Sequence, residues 1–284
     1  MKLGVALSGG GIRGIAHAGV LKALEDNNIK IDVIGGTSSG GIIATLYAMG
    51  YTPYYIFELF KRHASEIAAV NNGMMLKGLK AYVMCNNSKI KGLNSGDVLE
   101  KEFDKIACKK GIKKFRDIKM PIAIITVDIT EVNKYIITNN VTKKTNANYI
   151  TNINVGKAIR ATSSFPGVFC PVNYEKHMFL DGGILDNIPV QEVRKQGATK
   201  VLAVNFAADP IEESSNVMDI IMRTIDGMGN KISEDNLNSS DFLLTVPTDK
   251  TGLLDVEKLD ACFEYGYKAV IMNLDRIKKI YNKK

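Results

Sequence analysis

The first fifty residues contain one plan twice: a short apolar run, a glycine-rich loop and an apolar helix. Residues 3–7 predict a buried strand, and the glycine loop at 9–14 leads into a helix over 14–26. A second strand over 31–34 is followed by Gly-Gly-Thr-Ser-Ser-Gly-Gly and by a helix that ends near Gly50. Strands that alternate with helices build a mostly parallel sheet with helices on both faces, so the plan indicates an α/β fold.

The rest of the chain continues this alternation. Further strands are predicted over 122–129, 135–138, 178–180, 200–206 and 242–246, and helices over 98–108, 155–162, 190–196, 217–228 and 256–277. We therefore expect a three-layer α/β/α sandwich around a mostly parallel central sheet.

No internal repeat or Pro/Ser-rich linker divides the 284 residues, which predicts a single domain over 1–284. Its motif-bearing core is expected over about 3–206, with a C-terminal α/β extension over about 207–284. Residues 64–92 lack clean periodicity, which suggests either an insertion that acts as a lid or an ordinary loop.

The composition excludes several classes of protein. With 45% hydrophobic residues the chain can fill a core, and no stretch approaches the roughly 20 apolar residues of a membrane span. The start, Met-Lys-Leu-Gly-Val, lacks the apolar core of a signal peptide, so a cytoplasmic protein is expected. Four scattered cysteines without a CxxC pair suggest neither a zinc site nor a disulfide framework: Cys85, Cys108, Cys170 and Cys262. We predict no bound metal.

The net charge of +7 favours an anionic partner only weakly, but the positive charge is clustered. Seven basic residues and one acid, Asp117, lie within 105–119, and five basic residues lie within 276–284. Anionic lipid headgroups could bind these clusters, which predicts peripheral contact with an anionic membrane surface; a solvated helix face is the alternative. No nucleic-acid partner is predicted, and the oligomeric state is left open.

Residues 36–40, Gly-Thr-Ser-Ser-Gly, match the pattern G-x-S-x-G, in which a sharp turn between a strand and a helix presents a serine hydroxyl. The flanking Gly36 and Gly40 leave space around the turn. Because the motif follows a predicted strand and opens a predicted helix, the helix N-terminus would place positive potential beside Ser38. Ser38 is therefore a candidate nucleophile, and a simple helix N-cap is the alternative.

The first glycine loop also contains the pattern G-x-G-x-x-G. A dinucleotide site would need an acid at the end of the second strand, but the only acid there, Asp32, lies at the wrong end to reach a ribose. Adjacent glycines allow backbone N–H groups to converge on an anion, which suits the oxyanion of a tetrahedral intermediate. Arg13 could order this loop, and a tight turn needed only for packing is the alternative.

A serine nucleophile needs a base, and no histidine is well placed for that role. His17 is expected to be packed or hydrogen-bonded, and His63 and His177 to be exposed. Pairing of Asp128 with His177 is an arrangement that the sequence leaves open.

Asp181 is the other candidate base. It follows an apolar strand and precedes Gly182 and Gly183, which leave room around its carboxylate. An ordinary aspartate has a pKa of about 3.9, so Asp181 could accept a proton from serine only in a desolvated site with direct contact. The alternative is a carboxylate that caps a turn.

In their order along the chain, these motifs resemble the signatures of the patatin-like phospholipases. The similar blocks are Gly9-Gly10-Gly11-Ile12-Arg13-Gly14, Gly36-Thr37-Ser38-Ser39-Gly40, Asp181-Gly182-Gly183 and the segment from Ala161 to Phe169. The resemblance implies Ser38 as nucleophile, Asp181 as base and the amides of the first loop, from Gly9 to Gly14, as the oxyanion hole.

It further implies hydrolysis of fatty-acyl esters of phospholipids or related lipids through an acyl-enzyme, without a metal or cofactor. A non-enzymatic lipid-binding or regulatory protein of the same family is the alternative.

Overall fold

The computed structural model describes residues 1–67, 94–141, 148–207, 217–248, 251 and 256–282. Its strands are β1 (Leu3–Leu7), β2 (Val33–Thr37), β3 (Ile122–Asp128), β4 (Asn133–Thr138), β5 (Asn148–Ile150), β6 (Val172–Tyr174), β7 (His177–Asp181), β8 (Lys200–Phe206) and β9 (Phe242–Val246). Five of them lie in the order β3, β2, β1, β8, β9, and each neighbouring pair is parallel. β4 pairs antiparallel with β3, and β5 pairs with β4. The sheet is therefore mostly parallel, as predicted.

Helices cover both faces of this sheet. They are α1 (Ile15–Asp26), α2 (Ser39–Ala48), α3 (Pro53–Ile67), α4 (Asp97–Lys109), α5 (Val155–Thr162), α6 (Val190–Lys195), α7 (Val217–Ile232), α8 (Glu234–Asn238), α9 (Leu259–Met272) and α10 (Leu274–Asn282). Short 3-10 helices lie at Gly11–Gly14, Phe115–Asp117, Gly182–Ile184 and Val256–Lys258.

The side chains of β1 show how the layers are held together. Leu3, Val5 and Leu7 belong to the large core that also contains buried residues of α1 and α2. Ala6 belongs to a second core on the opposite face, with Val193 of α6. Burying one Val or Leu side chain stabilises a fold by about 1.5–3 kcal/mol, so a strand buried on both faces anchors both helical layers. The expected α/β/α sandwich is confirmed.

The pairing of β3 explains how two distant segments meet. β2 pairs with the first half of β3, with Thr37 opposite Ile125. β7 runs antiparallel along the second half of the same edge, with Asp181 opposite Thr126. β2 and β7 therefore end head to head, so Ser38, the residue after β2, and Asp181, the last residue of β7, arrive at one place.

The second strand is longer than predicted. β2 continues past Ile34 to Thr37, because Gly35 and Gly36 pair with the neighbouring strands. A Cβ at Gly35 would lie 2.6 Å from Val193 Cγ2, so the missing side chain allows α6 to pack close to the strand. The expectation that the strand ends at residue 34 was wrong because these glycines resemble a loop.

The helix predicted over 256–277 is divided into α9 and α10. The break lies at Asn273, whose side chain donates to the carbonyl oxygen of Ala269 at 2.9 Å and competes with the helical backbone bonds. α8, β5 and β6 were not predicted, because elements of three to five residues are too short to show a periodic pattern.

The aperiodic segment predicted over 64–92 begins inside α3, where Ala64 is buried. Its residues 68–92 lie outside the described part of the chain. The lid therefore stays a prediction, as does the division into a core over about 3–206 and an extension over about 207–284.

Candidate active site

Many of the predicted site residues line one pocket. Six of them line it: Gly9, Gly10, Gly11, Ser38, Asp181 and Gly183. Much of the remaining wall is apolar and includes Leu99 and Phe103 of α4, Ile159 of α5 and Phe169. The pocket contains about 920 Å³ of unfilled space, counting the part open to solvent. An apolar wall with a few convergent polar groups is typical of a ligand site.

Ser38 occupies the sharp turn between β2 and α2. Its backbone torsions, φ 54° and ψ −126°, are ones that a non-glycine residue adopts only under strain. The Ser38 N–H donates to Thr162 Oγ1 at 3.1 Å, and the Thr162 hydroxyl donates to the carbonyl oxygen of Ile125. α2 begins at the next residue, so the positive end of its dipole lies beside Ser38.

Asp181 is only 3% exposed. Its Oδ1 accepts a hydrogen bond from the Gly183 N–H at 2.8 Å, and its own N–H donates to the carbonyl oxygen of Ser164 at 3.0 Å. Burial raises the pKa of Asp181 to about 7 despite hydrogen bonding from Ser38 and Gly183, and the nearby charge of Asp226 adds to the increase. A carboxyl with this pKa can take up or release a proton near neutral pH.

The two side chains meet, although their geometry is not that of a well-aligned hydrogen bond. The Ser38 hydroxyl lies close enough to the Asp181 carboxyl to lower its pKa. Asp181 Oδ2 is buried and accepts no well-aligned hydrogen bond from any described residue. A buried carboxylate oxygen without a partner is costly, because the group has lost water and gained nothing in exchange. Oδ2 is thus the oxygen with capacity to accept a proton.

The first glycine loop brings backbone amides to the pocket wall. The Gly9 N–H is already engaged, since it donates to Asn187 Oδ1 at 3.0 Å and to the Asn187 carbonyl oxygen at 3.3 Å. Gly10 and Gly11 stand at the start of a 3-10 helix, where N–H groups have no partner within the helix. Their amides are the ones in this loop best suited to bind an oxyanion.

The other residues of this loop are not among those that line the pocket. Ile12 is buried in the core, and a Cβ at Gly14 would overlap the first residue of α2. Arg13 donates from Nε to the carbonyl oxygen of Gly10 at 3.3 Å and from Nη2 to Asp226 Oδ2 at 3.4 Å. Arg13 thus orders the loop, as the sequence suggested, and connects it to α7.

Three further motif glycines permit close packing of the backbone. A Cβ at Gly40 would lie 2.5 Å from the carbonyl oxygens of Leu7 and Ser8. A Cβ at Gly36 would overlap Gly40, and one at Gly182 would overlap the backbone of β3. The nucleophile turn and the exit of β7 therefore need glycine at these positions for space.

His17 is fully buried, and its Nε2 lies 2.8 Å from the carbonyl oxygen of Ser8. Its ring packs against Phe206, with the ring centroids 4.7 Å apart. Burial lowers the pKa of His17 to about 4 against the opposing effect of the Ser8 contact, so the ring is neutral at pH 7. His17 is packed and hydrogen-bonded, as predicted, whereas His63 in α3 is half-buried rather than exposed.

The pairing of Asp128 with His177 does form. His177 Nδ1 lies 2.7 Å from Asp128 Oδ2, and the Tyr135 hydroxyl lies 3.4 Å from His177 Nε2. Burial alone raises the pKa of Asp128, but hydrogen bonds from His177, Thr130 and Met178 outweigh it and hold that pKa below its usual value. The expectation that His177 is exposed was wrong, because its ring packs against the rings of Tyr135 and Phe179, with centroids 4.7 and 5.6 Å away.

This pair is remote from the nucleophile. His177 precedes Asp181 by four positions along β7, which is about 13 Å at roughly 3.3 Å per residue. Neither His177 nor Asp128 is among the residues that line the pocket. The pair therefore does not contact Ser38 in this structure.

Three residues that shape the site were not predicted: Thr162, Asn187 and Asp226. They hold the nucleophile turn, the first glycine loop and the loop arginine, respectively. Thr162 lies in the block 161–169 that resembles the family, and Asn187 lies shortly after Asp181, so a sequence signal existed for both. Asp226 carries no such signal, since it reaches the site only through the packing of α7.

Arg160 is a buried cation in the pocket wall, with an exposed fraction of 2%. Its Nη1 donates to Ser164 Oγ at 3.0 Å and its Nη2 to the carbonyl oxygen of Ser95 at 2.6 Å. Burial lowers the pKa of Arg160, with Glu100 opposing that shift. Because Ser164 also accepts the Asp181 N–H, Arg160 links the segment before α4 to the end of β7.

Three residues of the basic clusters, Lys110, Lys119 and Arg276, lie near the strand ends that are opposite to Ser38. Lys110 donates to the carbonyl oxygen of Gly50, which follows the end of α2 that is remote from Ser38. Lys119 lies three positions before β3 begins, and Arg276 stacks over Phe242, the first residue of β9. Parallel strands begin at one edge and end at the other, so a membrane bound at these clusters would lie across the sheet from Ser38.

Asp32, the acid considered for a dinucleotide site, lies at that same remote edge. It precedes β2, and its Oδ2 accepts the Leu3 N–H at 3.0 Å. A ligand at the glycine loop would lie beyond its reach. The described helices include none with the length and apolar character that crossing a membrane requires.

The sequence is similar to a known protein family and to curated proteins. The family model for patatin-like phospholipases matches residues 5–194. Lysophospholipase NTE1 of Candida albicans is 29% identical over 293 residues, covering 94% of this chain and 19% of that protein. Lysophospholipase NTE1 of Meyerozyma guilliermondii is 32% identical over 206 residues, covering 72% of this chain and 13% of that protein. The chain thus spans less than a fifth of the length of these relatives.

Two solved structures have the same fold. VipD from Legionella pneumophila superposes with a TM-score of 0.53 and 14% identity, over 97% of this chain and 67% of that chain. ExoU, in its complex with SpcU from Pseudomonas aeruginosa, gives a TM-score of 0.51 and 19% identity, over 97% of this chain and 51% of that chain. Since the family match extends over more than half of the sequence and includes all four motif blocks, this chain belongs to the patatin-like phospholipase family.

Proposed function

We propose that this protein is a serine acyl hydrolase that cleaves fatty-acyl esters of phospholipids or related lipids through a Ser-Asp dyad. Ser38 Oγ attacks the ester carbonyl carbon while its proton passes to Asp181. The carbonyl oxygen becomes an oxyanion, which accepts hydrogen bonds from the Gly10 and Gly11 amides. The bond to the alcohol then breaks, and the alcohol leaves with the proton from Asp181.

The second half of the reaction releases the fatty acid. A water molecule attacks the acyl-enzyme carbonyl carbon and gives a proton to Asp181. When the bond to Ser38 Oγ breaks, the proton returns to the serine and the free acid departs.

The observation that carries this proposal is the meeting of three features in one apolar pocket. They are the strained serine turn, a buried carboxyl with a pKa of about 7 and two helix-initiating glycine amides. The walls contributed by Leu99, Phe103 and Phe169 suit a hydrocarbon chain, because apolar surface removed from water stabilises binding. The lysophospholipase names of the relatives support a lysophospholipid or phospholipid substrate.

Covalent labelling tests the nucleophile. An alkyl fluorophosphonate should modify Ser38 in the folded protein, and mass spectrometry of the digested protein should locate the adduct there. Soluble esters of increasing acyl chain length should show a rise in kcat/KM as more of the chain enters the pocket. Folded protein without an adduct at Ser38 would contradict the proposal.

Activity should depend on pH through Asp181. Only the carboxylate accepts a proton from Ser38, so kcat/KM should rise with pH and reach half its maximum near pH 7, because burial raises the pKa of Asp181 to about 7. A neutral soluble ester assayed from about pH 5 to about pH 9 provides the measurement.

Asp226→Asn is the variant to compare with the wild type in the measurement of kcat/KM against pH. It removes a charge that raises the Asp181 pKa, so the half-maximum should move to lower pH. A wild-type half-maximum near pH 4, the ordinary range for aspartate, would contradict the assignment of Asp181 as base.

The alternative is a non-enzymatic lipid-binding member of the family. It would bind lysophospholipid in the same pocket without turnover, whereas the dyad predicts that bound ester is hydrolysed. Release of fatty acid by the wild type, absent from Ser38→Ala at equal lipid binding, distinguishes the two.

We separately propose peripheral contact with an anionic membrane. Variants that weaken membrane binding should leave catalysis on a soluble ester intact. We expect the triple change Lys105→Gln, Lys109→Gln and Lys113→Gln to weaken binding to phosphatidylcholine vesicles that contain phosphatidylglycerol, in a salt-dependent way. Hydrolysis of a soluble ester should stay within about twofold of the wild type, since these three lysines are exposed and do not line the pocket. Unchanged vesicle binding in a sedimentation assay would contradict the membrane contact and would indicate that the basic clusters are simply solvated surface.

A further inference from the structure

Asn187 connects the two loops that build the proposed active site. It is 3% exposed and lines the pocket that contains Ser38 and Asp181. Its side-chain Oδ1 and its carbonyl oxygen both accept the Gly9 N–H, at 3.0 and 3.3 Å. A Cβ added to Gly9 would lie 2.5 Å from Asn187 Oδ1 and 3.1 Å from Ser38 Cβ, so the glycine loop is held between the asparagine and the serine.

The orientation of the Asn187 amide follows from its partners. A backbone N–H can only donate, so the atom facing Gly9 must be the oxygen of the Asn187 side chain. The amide nitrogen then faces α7, where Asn187 Nδ2 donates to Asn230 Oδ1 at 2.7 Å. The Gly9 N–H therefore determines which way the amide of Asn187 is turned, and the bond to Asn230 holds it in that orientation.

The residue that follows α7 fixes the backbone of Asn187 as well. The Asn187 N–H donates to Ser233 Oγ at 2.8 Å, and that hydroxyl donates to the carbonyl oxygen of Gly229 at 2.7 Å. A Cβ at Gly229 would overlap the carbonyl oxygen of Gly183, so α7 packs directly on the segment that follows the base. Ser233 directly follows the last residue of α7, so Asn230 and Ser233 both bond Asn187 from the C-terminal end of this helix.

We propose that Asn187, oriented by Asn230, is a positioning residue that sets the distance of the glycine-loop amides from Ser38. This inference rests on the proposed acyl-transfer function. With the Gly9 N–H held by Asn187, the neighbouring amides of Gly10 and Gly11 are presented to the pocket at a defined place. Catalytic donors lose much of their effect when they are displaced by about 1 Å, which can lower rates by about 10²-fold.

A consequence of this arrangement is that α7 takes part in the site although it lies outside the family match over residues 5–194. Asn187 belongs to the matched region and Asn230 does not. The contact at 2.7 Å between them is therefore a link from the motif-bearing segment to a helix that no motif identifies.

The test compares four variants on a soluble short-chain ester. Asn187→Ala removes the side-chain acceptor of Gly9 and should lower kcat about 10- to 100-fold with KM within about threefold, because the amides bind the transition state rather than the ground state. Asn230→Ala should lower kcat in the same direction by a smaller factor. Asn230→Asp keeps an acceptor for Asn187 Nδ2 and should recover most of the kcat that Asn230→Ala loses. Asn236→Ala is the matched control, since Asn236 bonds the adjacent Asp186 and not the glycine loop.

The pH profile supplies a readout that a loss of stability would not move. A Cβ at Gly183 would lie 3.2 Å from both Asn187 Oδ1 and Asp181 Oδ1, so these oxygens are no more than twice that distance apart. Asn187→Asp places a second carboxylate there and should move the half-maximum of kcat/KM to higher pH, since like charges raise a pKa. Asn187→Ala should leave the half-maximum unchanged.

The outcomes separate this inference from the function on which it rests. Loss of phosphonate labelling and of turnover in the wild type would contradict the acyl hydrolase itself. A labelled and active wild type beside a folded Asn187→Ala variant with kcat within twofold of it would overturn the positioning role alone. If Asn187→Ala does not fold, the pair Asn230→Ala and Asn230→Asp decides: equal kcat values for these two variants overturn the proposal.

Discussion

Ser38→Ala should lower kcat for a soluble ester by about 10⁴-fold or more and abolish the acyl-enzyme, because the variant lacks the atom that bonds to the acyl group. The fold should persist. The turn is held through the backbone N–H of Ser38, which donates to Thr162 Oγ1, and alanine keeps that N–H. The measurement is kcat together with mass spectrometry of protein quenched during turnover.

The adjacent serine provides the control. Ser39 lines the same pocket, and its hydroxyl is buried with no hydrogen-bond partner among the described residues. Ser39→Ala should keep kcat within about threefold, since it removes no proposed catalytic atom. The reverse result, with Ser39→Ala inactive and Ser38→Ala active, would show that Ser39 and not Ser38 is the nucleophile.

Ser38→Gly extends the test to backbone strain. With φ at 54° and ψ at −126°, Ser38 adopts torsions that favour glycine, and such strain costs on the order of 1–3 kcal/mol. Glycine also increases the entropy of the unfolded chain, which offsets part of the gain. We expect a net increase of about 1 kcal/mol in the free energy of unfolding, with kcat as low as for Ser38→Ala.

Asp181→Asn should lower kcat by about 10² to 10⁴-fold, the usual contribution of a general base. Asparagine preserves the shape of the side chain and can still accept the Gly183 N–H, but it cannot take the Ser38 proton. Phosphonate labelling of Ser38 should slow in parallel, because the same proton must leave the serine hydroxyl. Near-normal kcat in folded Asp181→Asn would reject the dyad.

The same substitution should change stability in a pH-dependent way. The folded carboxyl has a pKa of about 7, above the value of about 4 in the unfolded chain. The wild type should therefore lose stability as pH rises from about 4 to about 7, where the unfolded state has released its proton and the folded state has not. Asp181→Asn lacks this titration and should be the more stable protein above pH 7, by an amount on the order of a few kcal/mol.

Two histidine variants complete the comparison. His177→Ala breaks the contact with Asp128 but lies about 13 Å along the strand from Asp181, so kcat should stay within a few-fold of the wild type. His17→Gln removes a buried ring that packs on Phe206 and should lower stability by about 1 kcal/mol while sparing the chemistry. A folded variant of either histidine that forms no acyl-enzyme would require a triad in place of the dyad.

Much of the fold could be predicted because it depends on local periodicity. The bounds of β1, α5, β8 and β9 match the predicted residues, since each is an apolar or amphipathic run with clear flanks. β2 did not match, because Gly35 and Gly36 form a strand only where β1, β3 and α6 supply pairing and close packing. Glycine by itself favours turns over strands, so the strand forms here only because its neighbours stabilise it.

The amino-acid sequence by itself determined which residues carry the proposed chemistry. Ser38, Asp181 and the glycine loop stand out because their types and spacings are rare in combination. Only the tertiary structure decided how they meet: β2 and β7 share one edge of β3, which brings together residues that are far apart along the chain.

The tertiary structure also decided the burial of Asp181 and the hydrogen bonds that hold the glycine loop. The pKa of Asp181 is near 7 because surrounding elements exclude water from its carboxyl. The amino-acid sequence of residues 179–183 does not reveal this burial. The engagement of Gly9 by Asn187, and of Asn187 by Asn230, requires α7 to lie against the segment after the base. Desolvation and long-range hydrogen bonds depend on distance in space, and sequence spacing does not encode that distance until the chain is folded.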